Sequence, residues 1–142
     1  MITRNSEAEW TGDLKDGSGR VKLGSGAFEG RYGFKSRFES GPGTNPEELI
    51  AAAHAGCYSM ALAHALGEKG HNPRRVHTVA TVSLNAKGGG FEIPDIELVT
   101  EAEVSGLDDA GFQTIAADAK ANCPVSKVLA GARITLKARL LG

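Results

Sequence analysis

The stretch Thr44-Asn45-Pro46-Glu47-Glu48-Leu49-Ile50-Ala51-Ala52-Ala53-His54-Ala55-Gly56-Cys57-Tyr58-Ser59-Met60-Ala61-Leu62 decides how the rest of the chain is read. It opens with two helix-start signals. Thr44-x-x-Glu47 fits a capping box, and Asn45 before Pro46 fits an N-cap followed by proline at the first helical position. The helix is expected to run to about Glu68 and to stop at Gly70. Between Leu49 and Leu66 it is apolar nearly all round, which suits a helix held in a core or against a partner subunit. Its alanines and Gly56 let another backbone come close. One of the two cysteines, Cys57, sits in its middle.

Upstream, the chain reads as β. Glu7 to Asp13, Arg20 to Phe28 and Tyr32 to Phe38 are three candidate strands, with Asp16-Gly17-Ser18-Gly19 as a turn between the first two. Ser40-Gly41-Pro42-Gly43 breaks the pattern before the helix. Downstream, Val76 to Ala86 is rich in β-branched residues, and Gly88-Gly89-Gly90 reads as a turn. From Ile93 to Val104, residues Ile96, Leu98, Thr100, Ala102 and Val104 share one face. Glu97, Glu101 and Glu103 share the other, the pattern of a half-buried strand. A second helix starts near Asp108, with Phe112, Ile115, Ala116 and Ala119 at helical spacing. Pro124 is placed to open a short further helix to Leu129, and Arg133 to Leu140 alternates as a last strand. Runs of strands broken by helices predict an α+β fold with antiparallel sheets and a central buried helix. A single domain over 1–142 is expected, with a β meander at 1–40 and a helix-containing core at 44–142.

Composition narrows the function classes. Sixteen basic residues balance 17 acidic ones, so no strong field favours nucleic acid or an anionic membrane. The first ten residues carry no apolar core of a signal peptide, and no apolar run approaches the ~20 residues of a membrane span. A cytoplasmic location is expected, where a disulfide is more often transient and catalytic than structural.

Two cysteines in such a chain serve redox chemistry, a metal, or simple packing. Apolar surroundings would raise the Cys57 pKa and leave it inert. A guanidinium about 4 Å away is worth roughly 4 kcal/mol at an effective dielectric of 20, enough to offset that. Arg31 and Arg37, just before the helix, are candidates. Glu47 reads either as a capping-box residue or as the carboxylate that orients such an arginine. If Pro124 opens a helix, Cys123 is its N-cap, where backbone N–H groups lower a thiol pKa. Cys123 is then either the better nucleophile or the resolving partner of Cys57. His54 and His64, at −3 and +7 from Cys57, raise a Cys-His hydrolase or a zinc site, although no Cys-x-x-Cys or His-Glu-x-x-His spacing accompanies them.

Taken together, Thr44 to Leu49, Ala52 to Leu62 and Cys123-Pro124-Val125-Ser126-Lys127-Val128-Leu129 resemble the OsmC/Ohr family of thiol-dependent hydroperoxide reductases. Trp10 to Asp13 and Tyr32 to Glu39 resemble its osmotically inducible protein C branch. The resemblance implies Cys57 as the peroxidatic and Cys123 as the resolving cysteine, joined in a disulfide during turnover. It implies Arg37 as the residue stabilising the thiolate and Glu47 as the partner of that arginine. In the Ohr branch the arginine lies nearer the N-terminus, where this chain has Arg20. It further implies an intertwined homodimer with active sites at the subunit interface, and no metal or bound organic cofactor. The substrate would be an organic hydroperoxide, and the disulfide would be recycled by an external dithiol such as a lipoylated protein. The alternative is a non-catalytic redox sensor or apolar-ligand binder of the same fold.

Overall fold

The computed structural model describes residues 1–142. They form two compact units, Met1–Leu49 and Ile50–Gly142, whose boundary falls inside the long helix.

In the first unit, β1 (Ser6–Thr11), β2 (Ser18–Leu23) and β3 (Glu29–Tyr32) make an antiparallel meander in that order. Trp10 lies opposite Gly19, and Gly19 opposite Tyr32. A Cβ on Gly19 would lie 2.4 Å from the Tyr32 ring and 2.7 Å from the Trp10 ring. Only glycine in the middle strand lets the two aromatics meet across it, with centroids 5.4 Å apart.

The third strand is shorter than the sequence suggests. Tyr32 to Phe38 is not a strand. It leaves the sheet after Tyr32 and turns into a one-turn helix, α1 (Phe34–Phe38). The cause is local: the Ser36 hydroxyl accepts from Gly33 N–H at 2.9 Å and donates to Gly33 O at 3.1 Å, closing the turn. The aromatics that look like strand anchors, Phe34 and Phe38, then stack one turn apart, with centroids at 5.0 Å.

The long helix, α2 (Pro46–Glu68), begins where the Asn45-Pro46 signal places it. Glu48 N–H donates to Asn45 Oδ1 at 2.8 Å, and the Asn45 amide reaches back to Ser36 O. The Thr44/Glu47 capping box does not form. Thr44 N–H donates instead to Arg31 O, and its hydroxyl to Glu48. The helix stops at Gly70, which has φ +82°. Gly70 N–H bonds Gly67 O and His71 N–H bonds Leu66 O, a Schellman closure.

The second unit holds β4 (Arg75–Val82), the small hairpin β5 (Asn85–Lys87) and β6 (Gly90–Glu92), then β7 (Asp95–Glu103), α3 (Asp109–Asn122), α4 (Pro124–Val128) and β8 (Arg133–Leu141). Gly88 and Gly89, both at positive φ, make the hairpin turn. The larger sheet runs β4-β7-β8. It is not purely antiparallel: β4 pairs with β7 antiparallel, but β7 and β8 pair parallel. A parallel neighbour needs a crossover, and α3 and α4 supply it.

The core lies on one face of this sheet. Ile96, Leu98, Thr100, Ala102 and Val104 are all buried, as their alternation predicts. Tyr58, Leu62 and Leu66 of α2, spaced four apart, pack there with Phe112, Ile115, Ala116 and Ala119 of α3. Burying each large apolar side chain is worth about 1.5–3 kcal/mol. Only that one stripe of α2 in the second unit is covered by its own chain; Ala52, Ala53, Gly56 and Met60 stay exposed. Contrary to the sequence expectation, α2 is long and apolar enough, by length and composition, to cross a membrane. Its Tyr58-Leu62-Leu66 stripe nonetheless does the work of a core helix, which has the same composition.

Candidate active site

Cys57 and Cys123, 66 residues apart, meet across the second unit with their sulfurs 3.2 Å apart and both thiols free. Two elements bring them together. Helix α2 carries Cys57 one residue before the core residue Tyr58, so the thiol stands at the rim of the buried stripe and is part-exposed. The Cys123-Pro124 break ends α3 and starts α4, and Cys123 serves as N-cap of α4, fully buried. Its sulfur accepts from Ser126 N–H at 3.5 Å.

The two thiols have different electrostatics. Burial pushes the Cys57 pKa up; the Val125 N–H pulls it down, and charge on Cys123 pushes it up again. Within this unit no cation acts on it. For Cys123, burial also opposes ionisation. The Ser126 hydroxyl, the Ser126 and Val125 N–H groups and Cys57 outweigh it, and the pKa falls below that of an ordinary thiol. Taken by itself, this unit makes Cys123 the more acidic thiol and Cys57 the more accessible one.

Arg37 and Glu47 meet within the first unit. Arg37 Nε lies 3.0 Å from Glu47 Oε1 and its Nη2 lies 2.9 Å from Oε2, a bidentate pair in which Glu47 is buried. The guanidinium also lies 5.4 Å over the Phe38 ring. Glu47 is therefore an arginine partner and not a capping residue. Arg37 sits on α1, not on a strand. Arg20 is paired elsewhere, with Glu29 at 2.8 Å on the exposed sheet. Arg31 lies on β3 facing Arg20 across the ladder. Beside Arg37, a cleft of about 290 Å³ is lined by Trp10, Leu14, Tyr32, Phe34 and Phe38.

His54, His64 and Cys57 do not converge. His54 is fully buried, and its Nε2 lies 2.7 Å from Ser126 Oγ. His64 is exposed beside Glu68. Tyr58 and Met60, one and three residues after Cys57, part company too. Tyr58 is core, its hydroxyl donating to Ala116 O at 2.9 Å, and Met60 faces outward. Ser126 had no role in the sequence reading. The available signal was its place three residues after an N-cap cysteine, where its own N–H faces the capping atom.

Comparison with known proteins shows the family. The family model described as OsmC-like protein matches residues 39–138. Peroxiredoxin OsmC of Escherichia coli (strain K12) is 49% identical over 140 residues, covering 98% of this chain and 97% of that one. The organic hydroperoxide resistance protein of Xanthomonas axonopodis pv. citri (strain 306) is 38% identical over 92 residues, 64% of this chain and 63% of that one. The crystal structure of the organic hydroperoxide resistance protein OhrB of Bacillus subtilis matches with a TM-score of 0.70 at 25% identity, covering 96% of this chain and 98% of that one. An OsmC-like protein from Mycoplasma pneumoniae, at 14% identity, shares the fold with a TM-score of 0.76 over 99% of both chains. The names of the first three point to hydroperoxide-related redox chemistry. The chain belongs to the OsmC-like protein family.

Proposed function

We propose that the protein is a cysteine-based peroxidase that reduces organic hydroperoxides, and hydrogen peroxide less well, to alcohols or water. The observation that carries the reading is the 3.2 Å approach of an accessible thiol to a buried one. Disulfide formation then needs a closure of only about 1.2 Å. In the reaction, Cys57 thiolate attacks the terminal oxygen of R–O–OH. The O–O bond breaks, Cys57 becomes a sulfenic acid, and the alkoxide takes a proton to leave as R–OH. Cys123 thiolate then attacks the Cys57 sulfur, forming the S–S bond and expelling hydroxide, which solvent protonates. An external dithiol, such as a lipoylated protein, reduces the disulfide. No step calls for a metal or a bound organic cofactor.

Cys57 needs a cation that its own unit does not supply. Arg37, held by Glu47, is the group assigned to that task. Its bidentate pairing fixes the guanidinium plane, and the apolar cleft beside it suits an alkyl or aryl R group better than water-like hydrogen peroxide. The active form proposed is a homodimer with its sites at the subunit interface. The exposed Ala52, Ala53, Gly56 and Met60 on α2 support this, because small residues allow close backbone approach. The setting proposed is the cytoplasm, in defence against oxidative or osmotic stress.

The test is steady-state turnover of cumene hydroperoxide with a dithiol. Cys57→Ser should abolish it. Full turnover by that variant would overturn the assignment.

A further inference from the structure

His54 is a buried group that the proposed mechanism leaves unused. It is wholly enclosed in the second unit, and its only polar contact is Nε2 to Ser126 Oγ at 2.7 Å; Nδ1 has no partner. That contact lies about one helical turn from the thiol pair on both elements. His54 comes three residues before Cys57 on α2, and Ser126 three residues after Cys123 in the first turn of α4. Residues three apart on a helix are neighbours on one face. Ser126 is tied twice: its hydroxyl meets His54, and its main-chain N–H donates to Cys123 Sγ at 3.5 Å. With the sulfurs 3.2 Å apart, His54, Ser126, Cys123 and Cys57 close a ring of contacts between α2 and α4. The ring is the same whichever atom of the His54–Ser126 pair donates.

Building on the peroxidase reading, we propose that His54 and Ser126 are positioning residues for the resolving step: their hydrogen bond pins α4 to α2 one turn from the thiols and keeps Cys123 Sγ in reach of Cys57. The short helix needs such a tie. Its five residues are too few to hold a helix by themselves in water. Ser126 is its only buried residue; Val125 is half-buried and Val128 is exposed. A polar side chain, and not a large apolar one, therefore seats α4 most deeply. The distinction matters because apolar contact is non-directional, whereas a hydrogen bond is narrow in distance and angle. A disulfide is also narrow in its geometry, so the sulfurs must be held in register. The resolving step is a race as well. Cys57–SOH and Cys123–SH give the disulfide and water; a second R–O–OH converts Cys57–SOH to the sulfinic acid and releases R–OH. Holding Cys123 in place favours the first outcome.

The test measures how strongly the two thiols favour each other as partners. The protein is equilibrated with reduced and oxidised glutathione, the free thiols are trapped, and the disulfide is counted by mass. Without the pin, α4 drifts in the reduced protein and the disulfide has to restore its order. Ser126→Ala should therefore lower the equilibrium constant for the Cys57–Cys123 disulfide roughly three- to tenfold, the worth of one hydrogen bond. His54→Leu should lower it as far, and the double variant no further, because each change removes the same contact. His54→Gln, whose amide reaches the Nε2 position as donor or acceptor, should return most of the loss. A histidine that only fills the core would not be rescued this way. Under excess cumene hydroperoxide, Ser126→Ala should also carry more Cys57 sulfinic acid at each dose. An unchanged equilibrium in Ser126→Ala, additive losses in the double variant, or a fall in His54→Gln as large as in His54→Leu overturns the proposal. Should His54→Leu not fold, Ser126→Ala, the milder change, decides alone. The glutathione equilibrium uses no peroxide, so its failure is distinct from failure of the peroxidase reading, which would show as a Cys57 that peroxide leaves unoxidised.

Discussion

Cys57 and Cys123 face each other at 3.2 Å, yet one is part-exposed at the edge of a helix and the other is sealed beneath it. Accessibility and acidity are divided between them. The thiol a peroxide can reach has its pKa raised by burial, and the thiol with the donors is out of reach. Such a pair suits sequential use, first the reachable sulfur and then the buried one.

Removing the second sulfur should therefore leave the first step intact. Cys123→Ser is expected to reduce about one equivalent of hydroperoxide per subunit and then stop, with Cys57 driven on to sulfinic acid by excess oxidant. Mass spectrometry after stepwise peroxide addition checks this. Sustained turnover with a dithiol would show that Cys123 is dispensable.

The arginine assignment separates two candidates. Arg37→Ala and Glu47→Ala should each lower kcat/KM for cumene hydroperoxide by roughly 10- to 100-fold, the range expected for losing a charge-assisted contact to a thiolate. Arg37→Lys should recover only part, because an ammonium cannot make the bidentate pair with Glu47. If Arg20→Ala is the more damaging change, the supporting cation is Arg20 and its Glu29 pair is broken in the active form.

Folding stability should depend on pH through His54. Its pKa is depressed in the folded protein by burial. Above about pH 6.5 the imidazole is neutral in both states and its contribution is fully present. As pH falls through about 6.5 the unfolded chain binds a proton that the folded one refuses, so stability drops. Urea unfolding at roughly pH 7.5 and 5.5 measures the slope, and His54→Gln should flatten it. A steeper slope in that variant would contradict the buried, neutral histidine.

Tyr58 tests the core reading of the residue that follows Cys57. Tyr58→Phe removes the hydrogen bond to Ala116 O and should cost about 1 kcal/mol of stability while leaving kcat nearly unchanged. A selective loss of kcat at full stability would place Tyr58 in the chemistry instead.

Much of the architecture was legible because its signals are local. Asn45-Pro46 starts α2, Gly70 ends it, and Pro124 opens α4 with Cys123 as its cap, all within a few residues of the cue. The alternation from Ile96 to Val104 and the spacing of Phe112, Ile115, Ala116 and Ala119 named the buried faces correctly. What escaped was decided elsewhere. Tyr32 to Phe38 carries aromatics that look like a strand, and a single serine hydroxyl on Gly33 bends it into a helix. Alternation in Arg133 to Leu140 gives a strand but not its direction, which the crossover of α3 and α4 sets. Glu47 stands at capping spacing from Thr44, yet a guanidinium ten residues upstream claims it. His54 and Ser126 are 72 residues apart, and no local pattern announces such a bond.

The measurement that bears most directly on the account is intact mass and free-thiol count before and after one equivalent of an organic hydroperoxide, with no reductant present. Loss of both thiols with a mass decrease of about two hydrogens is the predicted result, since only a Cys57–Cys123 disulfide gives it. Two thiols still free at an unchanged mass would contradict the account and leave the cysteines as inert packing.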